Sequence, residues 1–240
     1  VARSAKTSNN ASAIVVVRVR RDAKERVREL QAVNVVKLPN GLNFKQQTVI
    51  CKQMCALYNA KAIVIDINGL GKGLLDYMLD RNILDDGTEL EPYDMLNTDY
   101  RSDYRDAKKL VYGIEAQKNN SEMITNFINV VEGSILRILE HFDVNKALDI
   151  PDEDFMVSDV LPFLRTENFI SEVHNITGKT IPGTGKLKIG QVVRADKDIY
   201  SAMIQVCWYV MTFCNDALPD EDEDFASFFS GFISQPKIKR

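Results

Sequence analysis

Residues 61–75 read KAIVIDINGLGKGLL. Ala62–Ile65 is an apolar, β-branched run, the pattern of a buried parallel-type strand. Asp66 follows at its carboxyl end. Asn68, Gly69, Gly71 and Gly73 then make a glycine turn, and Leu74–Leu79 has the amphipathic spacing of a helix. In open α/β sheets ligands bind outside the carboxyl ends of the strands. A carboxylate on a rigid strand end, beside a turn that admits close backbone approach, is placed to hold a metal ion or a phosphate. The alternative is that Asp66 only caps the helix or turn that follows.

Outward from that stretch, the chain reads as a mixed sheet with covering helices. Ala13–Arg20 and Gln31–Leu38 are strand candidates, with a charged hairpin turn or short helix at Arg21–Leu30 between them. Phe44–Tyr58 has helical spacing, so the first 80 residues run strand, strand, helix, strand, helix. Residues 80–106 read as an acidic, solvated surface. Lys109–Ala116 is a further strand, expected to lie in one central mixed sheet with Ala13–Arg20, Val33–Leu38 and Ala62–Asp66, the last as an interior strand. Residues 117–120 read as a loop. Ser121–Leu139 is a helix that Ser121 can cap, and Glu167–Ile176 is another. Thr177–Val192, with Gly178, Gly183 and Gly185 around Pro182, reads as a hairpin carrying Lys179, Lys186 and Lys188. Asp196 and Asp198 precede a strongly apolar helix over 198–213, where a carboxylate is favourable at the N-terminal dipole end. Simple N-capping accounts for either acid equally well on local grounds.

Composition narrows the function classes. The chain has 240 residues and a net charge of −4, which argues against an all-over basic nucleic-acid coat but not against a local basic groove. Cys51, Cys55, Cys207 and Cys214 show no CxxC and no zinc spacing, and the two histidines are too few for a His-rich metal site. The cysteines read as small buried apolar residues of a reducing compartment. No apolar run is long enough to span a membrane. Gly178-Lys179-Thr180 and Gly183–Lys186 do not satisfy GxxxxGK[ST], and there is no GxSxG elbow. What is left is a set of acids on an α/β sheet: Asp66 at a strand end, and Asp196 and Asp198 before a late helix. Hard oxygen ligands from separate elements are what a two-metal phosphodiesterase uses.

AIVIDINGLGKGLLDYML (62–79) resembles the second acidic motif of the nuclease domain of phage large terminase subunits. KLVYGIEA (109–116) followed by a long helix, then the glycine-rich hairpin, then RADKDIYSAMIQVCWYVM (194–211), resemble the rest of that domain in order. Lys197 stands where the family often has an acid. The resemblance implies an RNase H-like α/β fold, a mixed central β-sheet flanked by α-helices, over residues 1–218, with residues 219–240 as a C-terminal tail. It implies a metal-dependent endonuclease that cuts concatemeric double-stranded DNA during genome packaging in the host cell cytoplasm. Two Mg²⁺ or Mn²⁺ ions would be held by Asp66 and Asp198, with Asp196 as a nearby alternative. Lys72, Arg3, Lys186 and Lys188 are the candidates for DNA-backbone contact, each equally well read as a solvated surface cation. By the family pattern the first catalytic acid ends a strand immediately before Val1, and an ATPase motor lies further upstream. The small terminase subunit and the portal are the implied partners. The other reading is a non-catalytic RNase H-like scaffold that binds DNA or packaging proteins.

Overall fold

The computed structural model describes residues 12–98, 100–141, 157–185, 187–193 and 195–215. Arg3, Lys186, Arg194 and the tail from residue 216 lie outside them. Strands β1 (Ala13–Arg21) and β2 (Val27–Lys37) form an antiparallel hairpin. The Asp22 carboxylate closes its turn by accepting from the Lys24 and Arg26 backbone N–H groups and from the Arg26 and Arg28 guanidiniums. The residues between the strands are therefore a turn, and β2 begins at Val27, four residues before the strand read from the sequence. The buried residues Val27, Leu30, Ala32 and Val35 draw the strand back to that point.

Helix α1 (Phe44–Leu57) starts in a capping box between Asn43 and Gln46. Strand β3 (Ile63–Asp66) leads into α2 (Gly71–Leu79). Two short strands, β4 (Asn82–Ile83) and β5 (Glu89–Leu90), make a small ladder of their own, and β6 (Tyr93–Met95) precedes β7 (Lys108–Ile114). Strands β3, β7 and β6 form a parallel sheet in which β7 is central and β3 is an edge. This corrects the sequence reading, which put Ala62–Asp66 at the centre of one mixed sheet. Leu110, Val111 and Ile114 of β7 are all buried, whereas Ile65 alone is buried in β3. Gly113 hides this in the sequence. A Cβ there would lie 2.8 Å from Met95 Cε and 3.2 Å from Ile67, so a larger residue would have to push back the side chains that cover β7.

Helix α3 (Ala116–Glu132) begins five residues earlier than its apolar face suggests and ends seven earlier. Gly133 and Ser134 break it, Ser134 at φ 53°, and β8 (Leu136–Arg137) then pairs in parallel with β2. Ser121 is thus inside the helix, not its cap, and its hydroxyl oxygen accepts from the Leu187 N–H at 2.9 Å. Helix α4 (Val157–His174), with Pro162 inside it, precedes the hairpin β9 (Ile176–Thr180) and β10 (Leu187–Gln191); α5 (Asp198–Phe213) closes the fold. The hairpin and the late apolar helix are as read from the sequence.

Two apolar clusters fill the interior. One lies under α3, α4 and α5 against β1 and β2, and the other under α1 and α2 against β3, β6 and β7. Val64 of β3 packs into the first cluster and Ile14 of β1 into the second. The sheets β1-β2-β8 and β3-β7-β6 therefore share the same two helical layers, but among the described residues no ladder joins β1 to β3. The expected single central sheet is not seen among the described residues: its strands lie in two separate three-stranded sheets.

Among the described residues Lys52 is the one buried cation of this core, 1% exposed. Its ammonium donates to the backbone carbonyls of Asp80 at 2.6 Å and Glu91 at 2.7 Å, and sits 5.1 Å from the Tyr93 ring centre. It ties α1 to the end of α2 and to the entry of β6. Burial pulls its pKa down to about 8, against the opposing pull of Asp80. Lys52→Ala strands two buried carbonyls and is expected to cost roughly 2–4 kcal/mol in urea denaturation, with Lys52→Met closer to the parent because it keeps the packing. The unfolded lysine titrates above the folded one, so the unfolded chain binds more protons from about pH 8 upward. Stability relative to Lys52→Met should rise through that window, and a falling difference would contradict the buried ammonium.

Candidate functional site

Asp66 ends β3 opposite Ile114 of β7, and Ile67 continues the ladder by donating its N–H to the Ile114 carbonyl at 2.9 Å. The carboxylate is half-buried. Its Oδ1 accepts from the Asn68 backbone N–H at 3.0 Å, from the Asn68 side-chain amide at 2.9 Å, and more distantly from the Ala116 N–H at 3.5 Å. That is an Asx turn, and it fixes the carboxylate rotamer. Among the described residues these contacts all engage Oδ1, which leaves Oδ2 as an acceptor for an external group.

The turn after Asp66 is set by its glycines. Gly69 has φ +55° and open space around it. Gly71 is different: a Cβ on it would lie 1.7 Å from the Asp66 carbonyl oxygen. The first turn of α2 is therefore pressed directly onto the end of β3. Lys72 follows, exposed, on that first turn. Beyond the sheet end, a cavity of about 230 Å³ is lined by Ile67, Asn97, Tyr112, Glu115, Lys118 and Trp208, among others. Asn97 builds one wall by pairing its side-chain amide with both backbone groups of Gly113, at 2.8 and 3.0 Å.

Asp196 and Asp198 lie in a second neighbourhood. Asp196 is ion-paired to Lys37, at the end of β2, at 2.5 Å. Asp198 is the first residue of α5, after Lys197 at the N-cap position. Glu172 of α4 is 8% exposed, and its carboxylate accepts from the Tyr200 N–H at 2.8 Å, so it caps α5. Burial pushes the Glu172 carboxyl up and Asp198 adds to that, while the Tyr200 N–H and Lys37 oppose it. Lys37 and Glu172 carry no local signal in the sequence, because they meet the acids only through packing. Asn68 did have one, the Asp-x-Asn spacing.

The two neighbourhoods lie along α5. Phe127, in the fourth turn of α3, meets Tyr200 edge to face at 5.6 Å between ring centres, while Lys118, in the first turn, shares the cavity with Trp208. The two helices therefore run antiparallel. The Asp66 end of the sheet is reached by Trp208, ten residues and about 15 Å of helix beyond Asp198. Among the described residues no group of three or more His, Cys, Asp or Glu side chains is arranged to hold a metal ion. Lys188 is exposed on β10 directly opposite Lys179 of β9.

No family model and no curated protein matches the chain. Among solved structures it is similar to the crystal structure of the large terminase nuclease from thermophilic phage G20c with bound magnesium. The identity is 10%, the match covers 85% of this chain and 84% of that one, and the TM-score is 0.44.

The two glycines of the turn should separate on substitution. Gly69→Ala meets only backbone strain, roughly 1–2 kcal/mol. Gly71→Ala must displace the Asp66 carbonyl and is expected to cost roughly 3 kcal/mol or more. Thermal melts of both variants check this, and equal losses would mean that the β3–α2 turn is not under this constraint.

Proposed function

We propose that this chain is the nuclease domain of a viral DNA-packaging terminase large subunit, RNase H-like over residues 1–218, that cuts concatemeric double-stranded DNA with Mg²⁺ or Mn²⁺. The observation that carries the reading is the Asp66 carboxylate, at the carboxyl end of a parallel strand, oriented by Asn68 through one oxygen with the other unengaged among the described residues. The motifs around it, and those at 109–116 and 194–211, supply the family.

The donor set fits a hard divalent ion that keeps most of its waters, since Mg²⁺ takes one or two protein carboxylates. Asp66 would hold the ion through Oδ2, and Asn68 would keep the carboxylate from rotating away. A bound ion supplies an acidified water and charge neutralisation at the scissile phosphate. Asp198, the second acid of the reading, starts α5 in the other neighbourhood, so it would hold an ion of its own and not share one with Asp66. Asp196, already neutralised by Lys37, is the weaker ligand of the two. Lys72 is exposed one turn from Asp66 and suits a phosphate contact; Lys188, Lys186 and Arg3 complete the proposed DNA-backbone set. The upstream ATPase motor, the small subunit and the portal are the partners that go with this reading.

One observation favours the second reading, a non-catalytic scaffold: the acids at the start of α5 are tied to structural partners, Asp196 to Lys37 and Glu172 to the helix N-terminus. A plasmid-nicking assay with Mn²⁺ or Mg²⁺, on the domain extended upstream of Val1, separates the two. Cleavage stopped by chelation is expected. Asp66→Asn should lower it roughly 100-fold or more, the scale of losing one preorganised transition-state contact, without changing the melting temperature. A full rate in Asp66→Asn removes the nuclease assignment. A loss in Asp66→Asn with an unchanged rate in Asp198→Asn confines the chemistry to the end of β3.

A further inference from the structure

An apolar groove of about 210 Å³ lies between α3, β8 and α4, remote from Asp66. Phe127, Val131, Leu136, Ile138, Phe169 and Val173 line it. Phe127 and Phe169 form its buried floor, while Val131 is 48% and Ile138 37% exposed at its rim. Aliphatic side chains left open around an aromatic floor are the surface on which an amphipathic segment docks.

The chain itself carries such a segment. Phe225, Phe228, Phe229 and Phe232 recur at i, i+3, i+4 and i+7, the spacing of a single apolar helical stripe. Before them stands an unbroken acidic run, Asp220–Asp224. The described part of the chain hands over to this tail at Asn215, whose side-chain oxygen accepts from the Val27 N–H at 2.9 Å. Val27 is three residues from Leu30 on β2, and Leu30 pairs with the groove residue Leu136. The tail therefore leaves the body about 10 Å from the groove, at the strand rise per residue. The nine residues 216–224 can span up to about 30 Å, so the reach is ample.

Charge points the same way. Residues 18–29, the end of the β1–β2 hairpin beside Asn215, hold six Lys or Arg and three acids. Asp22 pairs with Arg26 and Arg28, Glu25 with Arg21, and Glu29 with Arg20 and Arg137, which leaves the hairpin end with a net excess of three positive charges, and Arg18, Arg20, Arg21, Lys24 and Arg28 are exposed. An acidic run leaving from Asn215 meets this basic end before the aromatic stripe reaches the groove.

We propose that Phe225–Ile233 of this chain seats in the α3–β8–α4 groove of the same molecule, with Asp220–Asp224 laid along the arginine-rich end of the β1–β2 hairpin. The groove supplies the apolar contact and the hairpin supplies the direction of approach. Both features use surface that the Asp66 region does not.

Amide hydrogen exchange on the full chain tests this, comparing the parent with Phe228→Glu/Phe229→Glu, which alters no residue of the two apolar clusters. Exchange over residues 131–138 and at the end of α4 is expected to quicken by about tenfold in the double variant, the size of a 1.4 kcal/mol loss of docking. Raising the salt to 1 M should move the parent part of the way there. Both proteins should have the mass of a monomer. Unchanged exchange would overturn the proposal, whether the groove is covered by residues 142–156 or by nothing. A parent that dimerises, with dimers lost in the double variant, would overturn it in favour of the tail of a second copy.

Discussion

Burial of β7 on both faces is the constraint from which the rest of the site follows. A strand covered on both sides needs partners on both edges, and β3 and β6 take those places in parallel. The register with β3 sets Asp66 level with Ile114, where β7 ends and α3 begins two residues later. Parallel neighbours put their carboxyl ends on the same side, so Asp66, the turn after β6 and the first turn of α3 come together at one end of the sheet. The glycine at 113 is the least conspicuous residue of β7 in the sequence. It is also the residue over which Met95 and Ile67 close.

The charged groups divide by how they are compensated. Lys52 is enclosed and satisfied by backbone carbonyls and an aromatic face, which makes it a structural tie. Asp22 and Glu29 organise the β1–β2 hairpin through arginines. Glu172 serves as a cap, contributed from another helix to an N-terminus whose own N-cap residue, Lys197, supplies no side-chain hydrogen bond. Asp66 differs from all of these. Its partners orient it without neutralising it, since both close contacts come from Asn68, an uncharged neighbour. A carboxylate held in place without a counter-charge among the described residues is suited to a cation or to the water of one.

Among the described residues the two three-stranded sheets are joined by helices and not by a strand ladder. α5 crosses both, with Tyr112 of β7 against Trp208, Tyr209 and Phe213 at one end and Phe127 of α3 against Tyr200 at the other. The aromatic contacts fix the antiparallel sense of α3 and α5 and hence the distance between the two acidic neighbourhoods. The same α3 turns its other side to the groove at β8 and α4.

Local chemistry was enough to locate the elements that carry a strong period or a strong turn signal. Ala62–Asp66 with its glycine turn, the Phe44–Leu57 helix, the 176–191 hairpin and the apolar helix from Asp198 were all legible, because each is specified by neighbours in sequence. The role of Asp66 as an oriented carboxylate was half legible, since the Asp-x-Asn spacing that holds it is local. The centrality of β7, the early start of α3, the pairing of β8 with β2, and the partners of Asp196 and Glu172 were not. Each of those depends on a residue tens of positions away: Met95 over Gly113, Leu187 on Ser121, Leu30 beside Leu136, Lys37 on Asp196 and Tyr200 under Glu172. Packing alone brings such residues together, and a sequence period cannot report which face of which neighbour it will meet.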